Sequence, residues 1–130
     1  MSRTIAYVGC RTTCERNAKG KGISVHEVHR TGAWQHLQTL ETLANPTFLA
    51  LNGAHDTLYA VHGDQNEVSA YRVERQSGLL SPIDSQTGIG RNPVHIEFSR
   101  DDSSLVIAGY ASACITRVPL CNHRCCWARP

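Results

Sequence analysis

An all-β fold is predicted for this 130-residue chain by three observations: strand-like alternation of apolar residues, frequent turn residues, and self-repetition at a fixed spacing. Laying Asn45-Pro46 over Asn92-Pro93 aligns NPTFLALNGAHDTLYAVHGDQNEVSAYRV with NPVHIEFSRDDSSLVIAGYASACITRVPL, without a gap, at a period of 47. The apolar positions coincide: Leu49 with Ile96, Leu51 with Phe98, Leu58 with Leu105, Val68 with Ile115 and Val73 with Leu120. Self-similarity at about 40–50 residues marks propellers and solenoids. Four antiparallel strands per unit is the make-up of a β-propeller blade, so the expectation is an incomplete β-propeller of about two and a half blades.

The elements follow in order. A partial first copy, spanning 4–43, opens with TIAYV at 4–8, which matches TLYAV at 57–61. ISVHEV at 23–28 then matches VSAYRV at 68–73 and ITRVPL at 115–120. The link from Val8 to Ile23 is 15 positions long where Val61 to Val68 is seven, which predicts a long, polar, solvated rim loop. A further strand follows the Thr31-Gly32 turn, with Trp34 as a blade-packing residue. The second copy, 45–90, reads as strands at 47–52, 57–62, 67–74 and 79–86, separated at Asn52-Gly53, Gly63-Asp64 and Ser77-Gly78. The third, 92–120, reads as strands at 94–99, 104–109 and 114–120, with Arg100-Asp101-Asp102 as its first turn.

Residues 121–130, CNHRCCWARP, lack strand alternation and differ in composition from the rest. The chain is therefore expected to start and stop in mid-blade, with the tail the product of a truncated or frame-shifted reading frame. A seven-bladed ring at this period needs about 330 residues. Ten strands do not close one.

Thirteen Lys and Arg against eleven Asp and Glu give a net charge of +2 spread along the chain, so no footprint for nucleic acid or an anionic membrane is visible. No apolar run nears the roughly 18 residues that span a bilayer, and MSRTIAYVG lacks the apolar core of a secretory signal. A soluble cytoplasmic protein is expected, with its six cysteines reduced.

The succession YVG, a polar Gly-rich loop, GISVHEV, TG, NPTFLALN, LYAVHG, EVSAYRVERQSGLL and NPVHIEFSRDDSSLVIAGYASACITRVPL resembles the N-terminal portion of the lactonase family of seven-bladed β-propellers. That family includes propeller-type 6-phosphogluconolactonases and carboxymuconate-lactonising enzymes. The resemblance covers roughly residues 4–120 and rests on many positions in a fixed order. It implies hydrolysis or closure of a sugar-acid lactone, a small-molecule substrate and no obligatory cofactor. The family's histidine, arginine and glutamate site residues come largely from middle blades, beyond this chain, so a fragment of this extent is expected to be inactive by itself.

Lactone hydrolysis needs a base for water, donors for the oxyanion and cations for an anionic substrate. His95 and Glu97 lie two apart on a strand, hence on one face and roughly 6–7 Å apart at the backbone. They are the candidate catalytic pair, with Arg91 as the candidate substrate-binding cation. The competing reading is packing, because the repeat aligns His95 with Phe48 and Glu97 with Ala50.

No metal site is expected. Cys121, His123, Cys125 and Cys126 are competent zinc ligands that Cys10 and Cys14 could supplement, but C-x-H-x-C-C is not the spacing of paired zinc knuckles. Gly20-Lys21-Gly22 and Gly88-Ile89-Gly90 read as turns, since neither joins a strand to a helix. The alternative to an enzyme is a non-enzymatic module that binds protein or self-associates through open strand edges.

Overall fold

The computed structural model describes residues 2–121 and the backbone of 126–127. Three separate antiparallel sheets follow one another along the chain. The first holds β1 (Thr4–Gly9), β2 (Gly22–Val28) and β3 (Trp34–Glu41). The second holds β4 (Pro46–Leu51), β5 (Thr57–His62), β6 (Glu67–Val73) and β7 (Leu80–Thr87). The third holds β8 (Pro93–Phe98), β9 (Ser104–Gly109), β10 (Cys114–Cys121) and β11 (Cys126–Trp127).

The period of 47 is a backbone repeat as well as a side-chain one. Asn45 and Asn92 both adopt left-handed φ values, 55° and 49°, as do His55 and Asp102, each at 56°. A register irregularity between Pro46 and Phe48 recurs between Pro93 and His95. The amide of Gly63 donates to Asn45 O at 2.8 Å, and that of Tyr110 to Asn92 O at 3.0 Å. Turn chemistry repeats with a changed residue: Asn52 Oδ1 accepts from the Thr57 amide at 3.1 Å, and Ser99 Oγ accepts from the Ser104 amide at 3.0 Å.

Alternation then assigns each strand two faces, and the sheets stack through them. Between the first and second sheets, Ile23 and Val25 meet Leu58, Ala60, Tyr71 and Leu80. Between the second and third, Tyr59, Val61, Val68 and Ala70 meet Ile96, Leu105, Ile107, Val118 and Leu120. Leu58 in one layer and Leu105 in the next are therefore the same position of the repeat, moved along by one interface. The edge strands β1, β4 and β8 adjoin in series and form one side of the stack.

Three expectations change. The third sheet does not stop after three strands: Leu120 pairs with Trp127 and Cys121 with Cys126, so two residues of the tail add a short fourth strand. The alternation test missed it because two residues are too few to show a period. Trp34 is not a buried packing residue; it is 57% exposed, on the face opposite Ile23 and Val25, with its ring 5.5 Å from that of His26. Cys10, Cys14 and Cys114 are free, whereas Cys121 is disulfide-bonded, so the expectation of reduced cysteines fails there. His123 and Cys125, invoked for zinc, lie outside the described residues.

Candidate functional site

β8 starts at the rim formed by the loops between β1 and β2, β5 and β6, and β9 and β10. The Asn92 amide donates to Gln65 O at 2.8 Å, and the Ala111 amide to Arg91 O at 3.1 Å. His95 is thus near the rim, and Glu97 follows it down the strand. Their backbones are separated as the strand dictates, but the side chains close the gap: His95 Nε2 lies 3.1 Å from Glu97 Oε2. Both remain in contact with water, the side chains being 50% and 73% exposed. The His95 ring also leans on Phe48 of the neighbouring edge strand, centroid to centroid 4.6 Å. The two aligned positions of the repeat therefore touch each other.

Register fixes which way the pair points. His95 is opposite Ala108 and Glu97 opposite Val106, on the face turned away from Ile96 and Ile107. In the second sheet the equivalent face, with Phe48, Ala50, Tyr59 and Val61, is covered by the third sheet. In the third sheet it is open, and Ile115, the equivalent of buried Val68, is 77% exposed. Arg91 is on the rim; its amide donates to Ser112 Oγ at 2.8 Å. Its side chain is exposed and has no ion-pair partner among the described residues. The structure thus joins His95 to Glu97 and leaves Arg91 apart from them.

Sequence reasoning missed the polar devices that hold the rim together. The long loop after β1, expected to be merely solvated, is tied to the second sheet. Buried Asn45 accepts at Oδ1 from the amides of Thr12 (2.8 Å) and Thr13 (3.3 Å), and donates from Nδ2 to Gly63 O at 3.0 Å. Arg11 reaches Asp64 at 2.6 Å and Arg16 reaches it at 3.3 Å. These guanidinium contacts, Arg11 first, hold the Asp64 carboxyl below the ordinary carboxylate range. The next copy of the clasp is lighter: Asn92 Oδ1 accepts from the Asp64 amide at 2.9 Å. The matching Asn-Pro pairs were the visible signal for this, since the alignment itself was anchored on them.

His62 is the other residue that sequence did not single out. It is wholly buried, with Nδ1 2.8 Å from Ala44 O and Nε2 2.8 Å from Ser69 Oγ. A carbonyl only accepts, so Nδ1 carries the proton and Nε2 accepts from the Ser69 hydroxyl. Burial lowers its pKa, against the opposing pull of the Ala44 bond and the Glu67 charge. Among the described residues no group of three or more His, Cys, Asp or Glu side chains could hold a metal.

The family model described as lactonase, 7-bladed β-propeller, matches residues 5–125. A 6-phosphogluconolactonase of Formosa agariphila is 30% identical over 96 residues, covering 70% of this chain and 27% of that protein. One from Bacillus subtilis is 27% identical over 123 residues, covering 92% of this chain and 34% of its own length. Among solved structures, a putative 6-phosphogluconolactonase of Bacteroides fragilis superposes with a TM-score of 0.80 at 25% identity, over 93% of this chain and 33% of that one. The chain therefore spans about a third of the length of the proteins it matches.

Proposed function

The chain belongs to the lactonase family of seven-bladed β-propellers, and from that premise we propose that it supplies blades to a ring that hydrolyses a sugar-acid lactone of the 6-phosphogluconolactone kind. The observation that carries the reading is the imidazole–carboxylate contact of 3.1 Å between His95 and Glu97, half in water on an edge strand beside the rim. In this reading the neutral imidazole takes a proton from the water that attacks the lactone carbonyl. The Glu97 carboxylate accepts the imidazole N–H, fixes the tautomer and favours the imidazolium that forms. The tetrahedral intermediate then expels the ring oxygen, which recovers the proton from His95, and the acid is released. Arg91, unpaired among the described residues, holds the substrate's anionic group.

Because the chain is about a third of its relatives' length, the channel of the ring is shared with strands outside it, and this chain alone should not turn over lactone. The test is a chimera in which residues 4–120 replace the matching third of the Bacillus subtilis relative. Hydrolysis of 6-phosphogluconolactone by the chimera should fall about 10²-fold or more with His95→Gln. Undiminished turnover by that variant removes His95 from the mechanism. Cytoplasmic residence is part of the proposal; the free Cys10, Cys14 and Cys114 suit it and the disulfide at Cys121 does not.

A second reading, self-association without catalysis, is favoured by the open face of the third sheet, where Ile115 is 77% exposed. A concentration-dependent dimer that Ile115→Lys abolishes supports it; a monomer at all concentrations refutes it.

A further inference from the structure

We propose that His26 and His36 form a two-imidazole site for a divalent transition-metal ion of the zinc, nickel and copper class, on the open face of the first sheet. The two residues are direct partners across β2 and β3, where a register irregularity between Val25 and His26 brings them opposite each other. Ile23 and Val25 face the second sheet, so alternation turns His26 outward, and among the described residues no other sheet covers it. Their rings are 5.5 Å apart, centroid to centroid, and inclined at 70°.

That spacing fits joint ligation. A metal sits about 2.0–2.1 Å from an imidazole nitrogen, and the ring centroid roughly 1.2 Å beyond it, so two imidazoles on one tetrahedral ion have centroids about 5 Å apart. Binding the ion requires each Nε2 to exchange its hydroxyl hydrogen bond for the metal, by rotation of the two imidazole and two hydroxyl side chains. The ring nitrogens also share a direction. His26 Nε2 contacts Ser24 Oγ at 2.9 Å and His36 Nε2 contacts Thr39 Oγ1 at 2.7 Å. Ser24 and Thr39 are themselves cross-strand partners, one row nearer the rim. Both Nε2 atoms are therefore directed to one short row of hydroxyls, which would hydrogen-bond the waters on the ion's remaining positions. No third His, Cys, Asp or Glu joins the pair among the described residues. The site therefore favours ions with a strong preference for imidazole, in the order copper above nickel and zinc, over magnesium or calcium.

Trp34 supplies the readout, because its ring lies 5.5 Å from that of His26. The chain has two tryptophans and four tyrosines, so Trp127→Phe leaves Trp34 as the sole tryptophan, which is excited selectively at the red edge of the absorption band, away from the tyrosines. Titrating that protein with nickel chloride should quench Trp34 saturably at one ion per chain. His26→Gln or His36→Gln should weaken the apparent affinity about tenfold or more, while magnesium at the same concentration leaves the signal unchanged. His29→Gln, which alters an exposed histidine bonded to Gln35 near the hairpin end, should titrate like the parent. Circular dichroism confirms that each variant is folded. Quenching that is unsaturable, or that is unchanged in both glutamine variants, overturns the proposal, including the case in which nickel binds at the cysteines instead.

Discussion

Replacing Asn45 by alanine tests whether the Asn-Pro signature is structural. Its φ of 55° places an L side chain in the left-handed region, which costs alanine about 1–2 kcal/mol. Truncation also leaves Gly63 O and the Thr12 amide without the partners they have at 3.0 and 2.8 Å, each worth about 1–3 kcal/mol where water cannot replace it. Because the Thr12 side of the contact is only half-buried, the lower ends apply and the sum is about 3–4 kcal/mol. That is a large part of the roughly 5–15 kcal/mol that holds a domain together. Asn45→Gly removes the same bonds but not the backbone freedom, so it should recover about 1 kcal/mol or more of the loss. Asn92→Ala, which gives up one side-chain bond that is exposed to solvent, should cost clearly less than Asn45→Ala. Urea denaturation followed by circular dichroism gives all three differences. An Asn45→Ala protein within about 1 kcal/mol of the parent, or one no less stable than Asn92→Ala, would refute the clasp.

His62 gives a pH prediction: its folded pKa is lowered by burial, so the unfolded chain binds the proton first. Stability is full above the unfolded value of about 6.5 and falls as pH drops through it towards the folded pKa; His62→Gln should flatten that acid limb in denaturation measured from pH 8 to 5. Leu105→Ala removes a wholly buried side chain between the second and third sheets and should cost about 2–5 kcal/mol in the same urea assay, whereas Ile115→Ala on the open face should change stability by under about 0.5 kcal/mol. Asp64→Asn should weaken the hold on the loop after β1, since Arg11 and Arg16 both lose their anion. Faster amide exchange in residues 11–17, with the core unaffected, is the expected signature, and unchanged exchange there counts against the role.

The strands were legible because period two and period 47 are one-dimensional signals. Each strand named from the sequence lies within a residue or two of its observed bounds, and the aligned leucines, Leu58 and Leu105, do occupy equivalent places in successive layers. What was not legible is contact between distant polar groups. Nothing about Thr12 or Arg11 announces that Asn45 and Asp64 will stand beside them, because that proximity is created by stacking the first sheet on the second. His62 illustrates the same limit: in the sequence it closes a strand, and only the arrival of Ala44 and Ser69 makes it a buried, neutral, doubly bonded imidazole. Trp34 misled for the complementary reason, since large and apolar does not say which of two faces a strand residue takes.

The repeat also bears on what His95 is for. Moving 47 residues along the chain carries a side chain one interface further through the stack, so Ala50, Val68 and Ala70, packed between sheets, become Glu97, Ile115 and Arg117 on the open face. Two alanine-sized positions have acquired opposite charges, and both flank Val106 across the sheet. Covering that face with an apolar sheet, as the third covers the second, would strip water from both at a cost that only mutual or new partners offset. Arg117 already finds Ser104 Oγ at 2.9 Å, and Glu97 finds His95. The next layer of a ring is therefore required either to answer these charges or to stand clear of them. At β8, the edge that adjoins β4, standing clear leaves His95 and Glu97 bordering water, which is the condition under which an imidazole and a carboxylate can act on a solvated substrate.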